Sequence, residues 1–171
     1  MQIDLEQFKK KSKNAQGENK KFLQKLKNVN HRILDDTVQG IHGAVFEETD
    51  CLQCANCCKT TSPIFYQKDI ERLSKHFRIK PQQFIAQYLH IDEDNDYVLN
   101  AAPCPFLGSD NYCSVYESRP TACREYPHTD RKKFFQIIDL TYKNTLVCPA
   151  VLEIVNRLKE PFEKSTEKKH K

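Results

Sequence analysis

Cys51-Leu52-Gln53-Cys54-Ala55-Asn56-Cys57-Cys58 sets four thiols within one short stretch, and how those thiols are used decides what kind of fold the chain builds. A two-residue spacer lets two thiolates converge on one ion from a single turn, the arrangement that recurs in zinc and iron–sulfur sites. Neighbouring side chains diverge in most backbone conformations, so Cys57 and Cys58 are not expected to serve one mononuclear ion together: one serves a second site, or one stays a free thiol. Free cysteine is also a common core residue, a reading that competes at isolated positions better than in a cluster this dense.

Outward from the cluster stand Cys104, Cys113, Cys123 and Cys148, completing the eight cysteines of the chain. Eight thiolates satisfy two tetrahedral four-cysteine zinc sites, or one iron–sulfur cluster with thiols left for a second site. The positions 51, 54 and 57 match the first three ligands of the bacterial ferredoxin pattern, but Thr61 stands where the fourth would be. Cys104-Pro105 and Cys148-Pro149 are Cys-Pro pairs, and either is able to supply a distant fourth ligand. A radical SAM cluster needs three residues between its first two cysteines and is excluded. Spacing says metal and leaves zinc and iron both open.

The bounds agree. The chain has 171 residues, long for a disulfide scaffold. Met1-Gln2-Ile3-Asp4 lacks the charged, apolar and small-residue succession of a secretory leader. The expectation is therefore a cytoplasmic protein, in a compartment where thiols stay reduced and closely spaced cysteines favour metal or redox chemistry. Mean hydropathy is −0.71, and no run approaches the ~18 apolar residues of a membrane span, so no membrane partner is expected. Net charge is +4, from 27 Lys and Arg against 23 Asp and Glu. Much of the positive charge lies near the ends, at Lys9, Lys10, Lys11, Lys13, Lys20, Lys21, Lys25 and Lys27, then Lys159, Lys164, Lys168, Lys169 and Lys171. Lysine runs without interleaved aromatics are usually solvated faces, so nucleic acid is disfavoured as a partner.

Residues 1–49 read as a helical lead-in, with Phe22, Leu23, Leu26 and Val29 on one face and a break near Gly40 or Gly43. Residues 50–158 read as the cysteine-cluster domain and 159–171 as a charged, frayed tail. Within the domain, Gln67–Phe77 predicts a helix, and Pro81 opens another carrying Phe84, Ile85, Tyr88 and Leu89. Asp92–Asp96 is a solvated acidic turn without the glycine and distal glutamate of a calcium loop. Tyr97–Leu99, Tyr112–Tyr116 and above all Lys133–Leu140 predict strands, with a turn at Gly108–Asn111. Pro149 opens a last helix with Val151, Leu152, Val155 and Leu158 inside. Without strand–helix alternation, the fold class is α+β, mostly helical: a small single domain with short strands, organised around a cysteine-ligated metal site.

The second dense motif is Cys113-x-x-Tyr116-x-x-Arg119-Pro120-x-x-Cys123-Arg124-x-Tyr126-Pro127. Together with Cys51 to Cys58, Asp69-Ile70, Cys104-Pro105-Phe106-Leu107 and Cys148, it resembles the YkgJ family of cysteine-cluster proteins, a zinc- or iron-chelating domain. The resemblance covers about residues 50–150 and implies that all eight cysteines are candidate ligands. A more distant similarity, on the cysteine motif alone, is to a domain of bacterial flagellin lysine methylases, which brings in redox or methyl transfer.

Four thiolates around zinc carry formal charge −2, which a guanidinium beside the sulfurs offsets. Arg119 and Arg124 are the candidates, against the alternatives of an anionic-substrate clamp or an ion pair with Glu117 or Glu125. His42 and His128 read as ordinary surface histidines, Asp69 as a cap or first-turn acid of its helix, and Tyr116 and Tyr126 as core aromatics. No glycine-rich phosphate loop, HExxH helix or nucleophile elbow occurs. The expected function is zinc or iron chelation. The alternatives are an iron–sulfur redox or group-transfer enzyme and a metal storage or delivery protein.

Overall fold

The computed structural model describes residues 3–167; the charged end with Lys168, Lys169 and Lys171 lies outside the described residues. The chain begins with α1 (Leu5–Asn14), α2 (Gln16–Leu26) and α3 (His31–Glu47). Two short helices, α4 (Cys51–Cys54) and α5 (Asn56–Thr60), carry the first cysteine cluster. Then come α6 (Gln67–Phe77), α7 (Pro81–Tyr88), and the antiparallel pair β1 (Leu89–Ile91) and β2 (Tyr97–Leu99). The chain closes with α8 (Thr121–Glu125), α9 (Ile138–Asn144) and α10 (Pro149–Glu167). The fold is α+β and mostly helical, as its composition of elements predicts. Among the described residues no helix is long and apolar enough to cross a membrane.

Contacts divide the chain into two compact units, one made by residues up to Cys51 and from Pro127 onward, the other by Leu52–Tyr126. In the first unit, α3 and α10 pack along their lengths, and α2 packs on α9. Leu34, Val38 and Val45 of α3 are buried at helical spacing, as are Val151, Ile154, Val155 and Leu158 of α10. That continuous apolar face carries α3 straight through Gly40 and Gly43, where a break was the expectation. Glycine costs a helix about 1 kcal/mol, less than burial of the leucine and valines on either side contributes. At the other end of the chain α10 runs past Glu160 to Glu167, with Phe162 packed on the same core one turn beyond Leu158.

The strand expected at Lys133–Leu140 is instead a 3-10 turn, Phe134–Ile137, running into α9. The aromatic and β-branched content resembles a strand, but Phe134, Ile137, Ile138 and Thr141 are the buried positions, at helical rather than alternating spacing. Lys133 takes a left-handed conformation (φ 59°), and the Asp35 carboxylate of α3 accepts the N–H groups of Lys133 (2.7 Å) and Phe134 (2.9 Å). A capped helical start replaces an unsatisfied strand edge.

In the second unit, Phe65, Ile70, Leu73, Phe84, Leu99 and Phe106 form the core, with Cys104 and Cys113 packed at its edge. Leu89, assigned by spacing to the helix before it, is extended and opens β1, opposite Leu99. The acidic segment makes the hairpin turn: the Asp92 carboxylate accepts the N–H groups of Asp94 and Asp96, each at 3.0 Å. The strand expected at Tyr112–Tyr116 reduces to a single bridge between Leu107 and Cys113. The chain then curls through Tyr116 N–H to the Cys113 carbonyl (3.1 Å) into a 3-10 turn, Tyr116–Ser118. The turn ahead of it forms at Gly108–Asn111 as predicted, with Asn111 N–H on the Gly108 carbonyl at 3.0 Å.

Candidate metal centre

Each cysteine owes its place to a local device. Cys51 and Cys54 are the ends of α4, the first exposed and the second buried. Ala55 follows in a left-handed conformation (φ 45°), unusual for a residue with a Cβ, and redirects the chain into α5 and its Cys57-Cys58 pair. The two adjacent sulfurs lie 4.0 Å apart. Cys104 N–H donates to the Cys58 carbonyl at 2.9 Å, which ties the Cys-Pro stretch to α5. Cys113 is held by its bridge to Leu107, and Cys123 lies within α8. Cys148 immediately precedes Pro149 and, within the first unit, packs against that unit's core.

Cys58, Cys104, Cys113 and Cys123 form one electrostatic group in the second unit. Burial pushes the Cys104 thiol up to about 11, with charge on Cys58 and Cys113 adding to the rise. Burial pushes Cys123 up to about 12, and Cys58, Cys104 and Cys113 raise it further. Cys113 is raised by burial and by Cys58, and lowered by Arg119. Cys58 goes the other way, to about 7, because the Cys57 thiol hydrogen-bonds to it and Lys59 lies near, against the effect of burial. Bare thiolates at such proximity repel one another, and a bound cation removes that repulsion. The donor set, soft sulfur throughout, fits zinc or iron by its chemistry. Ready-made ligand geometry is a separate matter: among the described residues, no three or more His, Cys, Asp or Glu side chains stand arranged to hold an ion.

The support for Cys123 comes from α6. The Asp69 side chain is fully buried and accepts from Arg72 Nη2 (2.6 Å), Thr121 N–H (3.1 Å), Thr121 Oγ1 (2.9 Å) and Tyr66 N–H (3.1 Å). Burial pushes its carboxyl up, yet the hydrogen bonds from Arg72, Thr121 and Tyr66 outweigh that and hold it below the usual carboxylate range. Arg72 also donates to the carbonyls of Ser118 (3.2 Å) and Arg119 (2.7 Å). Asp69 is thus the first-turn acid the sequence indicates, and it also anchors the turn leading to Cys123. Arg72 escaped sequence reading; the signal was its position three residues after Asp69, on the same helix face.

Arg119 stacks its guanidinium 3.8 Å from the Tyr116 ring centroid and donates to the Tyr116 carbonyl at 2.9 Å. Its charge lowers both Cys113 and Cys123. Arg124 donates to the carbonyls of Arg119 (3.1 Å) and Glu117 (2.8 Å), bracing the same turn. Of the histidines, His42 in the first unit meets Thr129 Oγ1 at 2.8 Å and packs on Phe46; burial lowers its pKa while Asp130 raises it. His128 has a left-handed backbone (φ 67°). Tyr116 is exposed, not a core aromatic, and serves as the platform for Arg119.

The family model CxxCxxCC, described as a putative zinc- or iron-chelating domain, matches residues 50–149. No curated protein and no solved structure matches the chain.

Proposed function

The chain belongs to the CxxCxxCC family of zinc- or iron-chelating domains, and from that premise we propose that Cys58, Cys104, Cys113 and Cys123 share one ion as thiolates. The observation that carries this reading is that Cys58, tied to Cys104 by a backbone hydrogen bond of 2.9 Å, raises the thiols of Cys104, Cys113 and Cys123 inside a single unit. A tetrathiolate site has no open position, so the ion closes the unit rather than performing chemistry on a substrate. Arg119 offsets part of the negative charge of the site, and Arg124 holds the turn on which Arg119 sits. Cys51, Cys54, Cys57 and Cys148 stay candidate ligands outside this set. The protein works in the cytoplasm, where reduced thiols stay available for metal.

The test is elemental analysis with a UV–visible spectrum on protein purified anaerobically from cells supplied with both iron and zinc. Cys58→Ser, Cys104→Ser, Cys113→Ser and Cys123→Ser should each lose the same ion and lower the melting temperature. Unchanged metal content in any of these variants removes that residue from the set. Colourless zinc protein supports a structural ion; brown protein with acid-labile sulfide shifts the reading to an iron–sulfur cluster.

A further inference from the structure

Cys57 and Cys58 are neighbours in sequence and both half-buried, and their sulfurs lie 4.0 Å apart, about twice the length of a disulfide bond. Adjacent side chains usually diverge, so this approach is a property of α5. That helix is little more than a single turn. It starts on left-handed Ala55 and stops at extended Thr61, and it is tied by Lys59 N–H on the Ala55 carbonyl (3.1 Å) and Thr61 N–H on the Cys57 carbonyl (2.9 Å). A helix so short has few bonds to lose when the pair changes its backbone angles. Its surroundings stay fixed: Asn56 is buried, and the Cys58 carbonyl accepts the Cys104 N–H at 2.9 Å. Cys58 belongs to the shared set proposed above, and the sulfur of Cys57, outside that set, stands beside it.

We propose that the pair is a redox switch on the shared ion: a small disulfide such as oxidised glutathione links Cys57 to Cys58, and the ion, short of a thiolate, is released. This rests on the four-thiol set. The Cys57 sulfur, giving its proton to solvent, attacks one sulfur of the small disulfide and expels the other half as a thiolate. The Cys58 sulfur then leaves the ion and attacks the Cys57 sulfur, expelling the remaining half as a second thiolate. The cysteine pair is oxidised to an S–S bond, and the small disulfide is reduced to its two thiols. Adjacent residues hold their Cα atoms about 3.8 Å apart, below the usual span of a disulfide, so the ring is strained and readily reduced again. Reduction returns Cys58 to the ion, which makes the change reversible.

The test exposes the full zinc-loaded chain to oxidised glutathione under nitrogen, following zinc with a chromophoric chelator and mapping thiols by alkylation and peptide mass spectrometry. Zinc should leave as Cys57 and Cys58 both become protected from alkylation, and dithiothreitol should restore binding. Cys57→Ser lacks the attacking thiol. Its release rate, per zinc bound at the start, should fall by about 10-fold or more, since a neighbouring thiol acts at high effective concentration. Zinc retained by the oxidised wild-type chain, wild-type release from Cys57→Ser, or a disulfide linking either cysteine elsewhere overturns the switch and leaves the four-thiol set standing. A folded Cys57→Ser chain that binds no zinc makes Cys57 a ligand and overturns both. Should that variant fail to fold, the wild-type map decides: alkylation of Cys57 or Cys58 after zinc has left overturns the proposal.

Discussion

The carboxylate of Asp69 accepts both the backbone N–H and the hydroxyl of Thr121, at 3.1 Å and 2.9 Å, two residues ahead of Cys123. This contact spans 52 residues of sequence and joins the start of α6 to the start of α8. It is fully buried on the Asp69 side, where Arg72 supplies the opposite charge. Fixing Thr121 fixes the helix that carries Cys123, so a carboxylate on α6 governs where that sulfur stands.

Replacing that carboxylate should therefore be expensive. Asp69→Ala is expected to lower stability by about 2–4 kcal/mol, since it leaves Arg72 and the Thr121 N–H without their buried acceptor. Chemical denaturation monitored by circular dichroism checks this through the transition midpoint at unchanged slope. A loss below about 0.5 kcal/mol would show that the network does not hold α8 to α6.

The same carboxyl gives a pH signature. Its folded pKa is held below the ordinary value, about 3.9, so its stabilisation is complete above that value and is lost as pH falls through the folded pKa. Wild-type stability should decline on acidification below about pH 4, and Asp69→Asn should decline less steeply over the same range. Denaturation midpoints of metal-free protein, taken from pH 6 downward, compare the two slopes; parallel curves would place the acid sensitivity elsewhere.

Arg119 should act on the metal without touching it. Its charge lowers Cys113 and Cys123, so Arg119→Gln is expected to weaken metal affinity by about 10-fold to 100-fold, the range seen when groups supporting metal ligands are removed. Competition with a chromophoric chelator measures this. Arg124→Gln should have the smaller effect, because its bonds run to the carbonyls of Arg119 and Glu117.

Asp35 closes the turn into α9 by accepting two backbone N–H groups. Asp35→Ala is expected to cost about 1–2 kcal/mol, the value of a helix cap, with metal content unchanged. Thermal melts and elemental analysis on one preparation read both; a loss of metal with the cap would tie the two units' stabilities together.

Much of the helical layout was legible because it rests on local rules. Pro81 and Pro149 open helices where proline is tolerated, and Phe22, Leu23 and Leu26 form the buried face of α2 at helical spacing. What failed were elements chosen by composition. Phe134-Phe135-Gln136-Ile137-Ile138 carries strand-forming residue types, but Asp35, nearly a hundred positions away, caps it into a helical start. No local rule reports so distant a partner. The candidate metal centre divides along the same line. Spacing singles out the cysteines as candidate ligands, since thiols in that pattern have few other uses. The grouping of Cys58 with Cys104, Cys113 and Cys123 depends on how separate segments fold together, and so did the part played by Arg72.

Metal K-edge X-ray absorption on anaerobically purified, metal-loaded protein tests the central claim most directly. The account predicts a first shell of four sulfur atoms per metal at about 2.3 Å, with one sulfur lost or replaced by a lighter atom in Cys123→Ser. A first shell dominated by nitrogen and oxygen, unchanged in that variant, would contradict the thiolate site.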